Sequence, residues 1–208
     1  IRKFLRFLLT SNVSEIMVIV TALMAGWPIP LTALQILWIN LVTDGLPALA
    51  LGIEPAERNV MGRKPRNPQE SIFGGGMLRS IVIGGAVMTA LVVYVMRWGV
   101  EGEQQHTMAF TALALAQMAN CFAVRSERDL IIRVGVFRNM HLVGAVLLTV
   151  LSQFAVVYVP ALQEVFETVP LSARNLGLCF GAAAAVFVLI ELEKLVLRAA
   201  RGRKGEEG

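Results

Sequence analysis

Six stretches of the chain stay apolar for about the 20 residues that a helix needs to cross a bilayer. They fall at 4–27, 30–51, 74–97, 106–124, 139–159 and 173–197, separated by short segments rich in charge, glycine or proline. The third, fifth and sixth are the clearest, as in MLRSIVIGGAVMTALVVYVM and MHLVGAVLLTVLSQFAVVYV. A helix of a soluble bundle carries a polar stripe on one side, and most of these carry none. The pattern predicts an all-α polytopic membrane protein with six transmembrane helices. Polar residues interrupt the first, second and fourth.

Composition agrees with that pattern. Of 208 residues, 56% are hydrophobic and 16% charged, with a mean hydropathy of +0.65, which excludes a disordered chain and disfavours an ordinary soluble domain. Two cysteines, Cys121 and Cys179, are too few for a disulfide scaffold or a Cys-rich zinc module. The net charge of +4 reports topology, with no nucleic-acid partner expected. Seventeen of the nineteen Lys and Arg fall in, or in the span ends next to, the N-terminal segment, the second and fourth loops and the tail, all on one side of the expected membrane. Basic loops stay cytoplasmic, so both termini are expected there, next to the anionic headgroups of the lipid bilayer.

The start, IRKFLRFLLTSN, has Ile in place of Met and no signal-peptide cleavage pattern, so the chain is expected to be a piece of a longer protein. Its organisation reads as 1–53, two spans bearing the polar interruptions; 54–73, a cytoplasmic loop; 74–197, a four-helix supporting bundle; and 198–208, a charged tail.

Span one carries Asn12 and Glu15, three residues apart and so on one helix face. Span two carries Asn40, Thr43 and Asp44, again on one face, followed at once by Gly45 and Pro47. Glycine weakens a helix and proline removes a donor, so this second helix is expected to be discontinuous. Backbone unwound at membrane depth is tolerated only where it is buried in protein or lines a cavity. Asn and Thr alone are consistent with interhelical hydrogen bonding. Two carboxylates are different, because each costs about 2.5–3.5 kcal/mol to insert. Carboxylate, amide, hydroxyl and carbonyl oxygens together suit a hard cation such as calcium, which takes six to eight oxygens. Neither histidine nor cysteine is near enough in the chain to favour zinc.

The segment QILWINLVTDGLPALALGIEPAERNVMGRKPRNP resembles the sixth transmembrane helix and following cytoplasmic loop of type-II P-type ATPases. SNVSEIMVIVTALMAGWPIPLTALQ resembles the fifth helix and its external hairpin. The likeness extends over the chain as helices five to ten, with its specific motifs in the first 75 residues. It implies that Asn12 and Glu15 are fifth-helix cation ligands and that Asn40, Thr43 and Asp44 are sixth-helix ligands. Sodium/potassium pumps carry aspartate at the position of Asn40, so the likeness points to calcium, with manganese as the competing cargo. In TMAFTALALAQMANCF, Gln117 stands where two-calcium pumps have a glutamate ligand, which favours a single bound calcium with Gln117 ligating through its carbonyl or only packing.

The family's phosphorylated DKTG aspartate, nucleotide and actuator domains and first four membrane helices are missing from this sequence. ATP and Mg2+ would act only through those parts, which are the implied partners, and the chain alone is expected to have no ATPase activity. Proton counter-transport is a further expectation, since Glu15 and Asp44 would stand together without a cation between them. The loop 54–70 is expected to touch the phosphorylation domain. Gly74, Gly75, Gly76, Gly84 and Gly85 are expected to permit close helix packing, and Trp27, Trp38, Trp98 and Tyr158 to form an interfacial belt. Glu191 and Glu193 are expected to pair locally with Lys194. Short connections fit a prokaryotic plasma membrane. A passive six-helix channel or secondary transporter, and a structural module without transport, remain the other readings.

Overall fold

The computed structural model describes residues 1–55, 72–74, 76–98, 102, 104–126 and 130–206. They form helices connected by turns: α1 (Arg2–Met24), α2 (Ala33–Trp38), a π-helical turn (Ile39–Asp44), α3 (Gly45–Gly52), α4 (Met77–Trp98), α5 (Gln104–Ala123), α6 (Ile131–Val134), a 3-10 turn (Val136–Arg138), α7 (Met140–Tyr158), α8 (Pro160–Phe166) and α9 (Ala173–Glu206). Among the described residues, five segments are long and apolar enough to cross a membrane: Arg2–Met24, Ala33–Gly52, Met77–Arg97, Met140–Tyr158 and Ala173–Arg198.

The sixth expected span is α5. Its 20 residues reach about 30 Å at 1.5 Å per residue, and fifteen of them are buried. It packs against α9, α4, α7, α1, α3 and the π-turn. Thr107, Thr111, Gln117 and Asn120 therefore face protein rather than lipid, which explains why this span looked less apolar in sequence. A central helix can carry polar groups that a lipid-facing one cannot.

The second span bends the expectation of a break. Ala33–Gly52 stays helical throughout, and the disturbance is a π-turn over Ile39–Asp44. Pro47 is the third residue of the α segment that follows, so its missing N–H falls just past the widened turn. The missing donor is therefore tolerated there, and the ladder widens instead of unwinding. Such turns recur at functional sites.

Gly84 and Gly85 bring α4 against α1 as expected. A Cβ on Gly84 would meet Thr10 Cγ2 at 2.9 Å, and one on Gly85 would meet Val13 Cγ1 at 2.6 Å. Gly76 instead serves a turn, at φ +87 with nothing within 4 Å of a Cβ, and Gly74 is half-exposed. Gly75 lies outside the described residues.

Trp38 also departs from the belt reading. Its ring meets Phe166 edge-on at 5.0 Å between centroids, and its Nε1 donates to Gln153 Oε1 at 3.2 Å. Hydropathy does not tell which side of the helix it occupies. Trp27 lies under Arg97, 5.8 Å from ring centre to guanidinium, and the Tyr158 hydroxyl donates to Leu171 O at 2.9 Å. The Trp98 side chain lies outside the described residues.

α8, which hydropathy does not flag, starts with Pro160 at its first turn and ends at Glu167 with φ +53. Gln35 donates to Phe166 O at 2.8 Å, so α8 closes over the start of the second span. Thr32 and Gln35 complete a reciprocal cap on α2.

Candidate cation site

Glu15 lies midway along α1 and is 4% exposed. Both of its oxygens are occupied by neutral amide donors. Gln117 Nε2 of α5 donates to Oε1 at 2.8 Å, and Asn40 Nδ2 of the π-turn donates to Oε2 at 3.0 Å. Three elements thus converge on one carboxylate. Asn40 also donates to Ile36 O at 2.9 Å, one turn back.

Asp44, the last residue of the π-turn, is fully buried, and neither Oδ1 nor Oδ2 has a hydrogen-bond partner. Its charge is close enough to that of Glu15 for the two to interact, and Ser11 stands beside it. Buried polar atoms are nearly always satisfied. Here Asp44 Oδ1 and Oδ2, Thr43 Oγ1, Gln117 Oε1 and Ser11 Oγ are all buried without a partner. The first four belong to residues singled out from the sequence. Four residues beyond Thr43 stands Pro47, which has no N–H to offer the Thr43 carbonyl. Carboxylate, amide and hydroxyl oxygens gathered in this way are what a hard cation takes.

Of the six candidate residues, the structure brings Glu15, Asn40 and Gln117 into direct contact, with Asp44 and Thr43 on the π-turn beside them. Asn12 stands apart. It is half-buried, and its Nδ2 donates to Leu8 O at 2.8 Å within its own helix. Asn40 is exposed on a flank shared with the exposed Leu37 and Leu41. The cluster is therefore walled on the side of α5 and open on the flank of the π-turn. No group of three or more His, Cys, Asp or Glu suited to a metal occurs among the described residues, so two acids and neutral oxygens make up the donor set.

A second polar cluster was not foreseen. Arg125, just beyond α5, is fully buried and forms an ion pair with Glu54, just beyond α3, at 3.0 Å. Its Nε donates to Glu54 Oε1 at 3.1 Å, and its Nη1 donates to Gly135 O at 3.1 Å and Val136 O at 2.8 Å. Asn139, the N-cap of α7, donates to Glu54 Oε2 at 2.6 Å and to Ala50 O at 3.0 Å. In sequence Arg125 read only as one more loop cation. Across the same end, Lys194 pairs with Glu191 as expected and also donates to Ala123 O, while Glu191 accepts from Ile131 N at 2.9 Å. Glu193 stands apart from that pair, with neither carboxylate oxygen hydrogen-bonded. Of loop 54–70, only Glu54 and Pro55 are among the described residues, so its expected contact with a phosphorylation domain lies outside them.

The chain is similar to known proteins over most of its length. A calcium-transporting ATPase of Bacillus subtilis (strain 168) is 42% identical over 189 residues, covering 88% of this chain and 21% of the relative. A calcium-transporting ATPase of Listeria monocytogenes is 38% identical over 200 residues, covering 94% and 22%. A mouse calcium-transporting ATPase, type 2C member 2, is 36% identical over 201 residues, covering 94% and 21%. The chain thus spans about a fifth of the length of these curated relatives. The family model described as the cation transporting ATPase C-terminus matches residues 28–196. On that match and those identities, the chain belongs to the family of cation-transporting ATPase C-terminal regions.

Proposed function

We propose that this chain is the cation-binding and translocation part of an ATP-driven P-type pump that exports calcium from the cytoplasm. The observation that carries the reading is the fully buried Asp44 with both carboxylate oxygens unbonded, next to a Glu15 held by two amides. Relatives named as calcium-transporting ATPases support calcium as the cargo. Manganese takes the same oxygen donors and is the competing ion.

The amides of Gln117 and Asn40 direct their N–H groups at Glu15, where a cation would otherwise stand. Rotating each amide by half a turn replaces those donors with Gln117 Oε1 and Asn40 Oδ1. The cation would then meet two carboxylates, two amide oxygens and oxygen from Thr43, and Asn12 would join from α1 only by turning away from Leu8 O. That set approaches the six to eight oxygens that calcium prefers, and one calcium per cycle fits its two negative charges. The open flank at Asn40 is where the pump's remaining membrane helices would close the site. Actuator, phosphorylation and nucleotide domains would supply ATP and Mg2+ chemistry, and α1 would transmit their movement to Glu15. When the cation leaves, protons returning on the two acids would account for counter-transport. The basic end of the bundle is the cytoplasmic one in this reading, and a prokaryotic plasma membrane is its setting.

Calcium-dependent phosphorylation of the full-length pump by ATP tests the proposal. Glu15→Gln and Asp44→Asn should each raise the calcium needed for half-maximal phosphorylation by at least about tenfold, or ~1.4 kcal/mol. Unchanged calcium dependence in both variants removes the site assignment.

A further inference from the structure

We propose that the Arg125–Glu54–Asn139 cluster positions the cation site from a distance, fixing the π-turn against α5; this rests on the reading of Glu15 and Asp44 as cation ligands. From Asp44 the helix runs eight residues to Gly52, about 12 Å, with Glu54 just past it, and from Gln117 it runs six to Ala123, about 9 Å, with Arg125 just past it. The one ion pair therefore joins the ends of the two segments whose other parts carry Asp44 and Gln117.

The joint is built to be stiff. Arg125 uses Nε and Nη2 on the carboxylate and Nη1 on two backbone carbonyls, so its planar fork is held at both edges. Gly135, which supplies one of those carbonyls, stands at φ +85 after α6, a conformation that favours glycine. Asn139 holds Glu54 from the other side and accepts from Leu142 N at 3.0 Å, so the start of α7 is fastened to the last turn of α3. None of these side chains touches a site residue. Their effect on the site travels through two short, continuous lengths of helix.

Sliding or rotating α3 against α5 would change the separation of Asp44 from Gln117 and Glu15. With the joint intact, that separation is set before a cation arrives. With the joint loosened, the cation must order the helices as it binds, and affinity falls while the number of sites stays the same.

The test is equilibrium binding of radioactive calcium to the purified full-length pump, reading half-saturation and bound calcium per protein separately. Glu54→Gln leaves Arg125 buried without its counter-ion and is a poor probe, because it endangers folding. Arg125→Lys keeps the charge but loses the fork, and the pair Glu54→Gln with Arg125→Met removes both charges. We expect half-saturation to rise about fivefold in each, with calcium per protein unchanged. Half-saturation within twofold of the parent in both variants overturns the proposal, whatever happens to the amount of binding-competent protein. Asp44→Asn, measured alongside, separates the two ideas: unchanged half-saturation there removes the site itself and not only its positioning.

Discussion

Gln117 of α5 donates its amide N–H to Glu15 of α1 over 2.8 Å, a buried bond between residues 102 apart in the chain. Glu15 is thereby tied to the most deeply enclosed helix of the bundle. A carboxylate on a lipid-facing helix would have neither such a donor nor shielding from the acyl chains.

Gln117→Leu removes that donor and the orphaned Oε1 together. Calcium half-saturation of phosphorylation should rise about threefold to tenfold, the loss expected for one or so kcal/mol of lost interaction. Full calcium affinity in this variant would show that Gln117 only packs.

One calcium should bind per phosphorylation site in the parent pump. Gln117→Glu adds a second carboxylate facing Glu15 and should raise the ratio of bound calcium to phosphoenzyme toward two. A ratio of two in the parent, or one in the variant, contradicts this.

Gly85→Ala should destabilise the packing of α1 on α4. The new Cβ would stand 2.6 Å from Val13 Cγ1 and 3.3 Å from Val13 Cβ. Valine is stiff about χ1, so the helices must separate, at about 1–3 kcal/mol. Thermal unfolding of the detergent-solubilised pump should shift down, whereas Gly144→Ala, where a Cβ meets nothing within 4 Å, should leave it unchanged.

Calcium should raise the melting temperature of the full-length pump, by linkage worth about 2.7 kcal/mol at a hundred times the dissociation constant. Chelation should reverse the rise, and Asp44→Asn should lose most of it. An equal rise in Asp44→Asn would place the stabilising ion elsewhere.

Much of the fold was legible because hydrophobic length is a local property. The expected span at 106–124 is α5 at Gln104–Ala123, and the one at 139–159 is α7 at Met140–Tyr158. The polar residues of the first two spans stood out because lipid gives them no partner, and Glu15 and Asn40 do meet. Direction around a helix axis was harder to read. Trp38 lies more than one turn inside its span and turns inward to Gln153. The joint of Arg125 with Glu54 spans 71 residues of sequence, and nothing local separates a cation spent on a carboxylate from one facing headgroups. The Gly45–Leu46–Pro47 signal marks a disturbed helix, but it looks the same whether the backbone unwinds or widens.

The π-turn holds a surplus residue within one winding of the second span. Were Ile39–Asp44 to tighten into α geometry with every residue kept, everything on one side of it would swing by about 100° relative to the other. The segment would remain long, greasy and fully coiled, and a hydropathy plot would not change. Yet Asp44 would turn away from its bearing toward Glu15 while Asn40 kept its own. Transport would thus be lost through a change of phase, with no ligand oxygen necessarily removed.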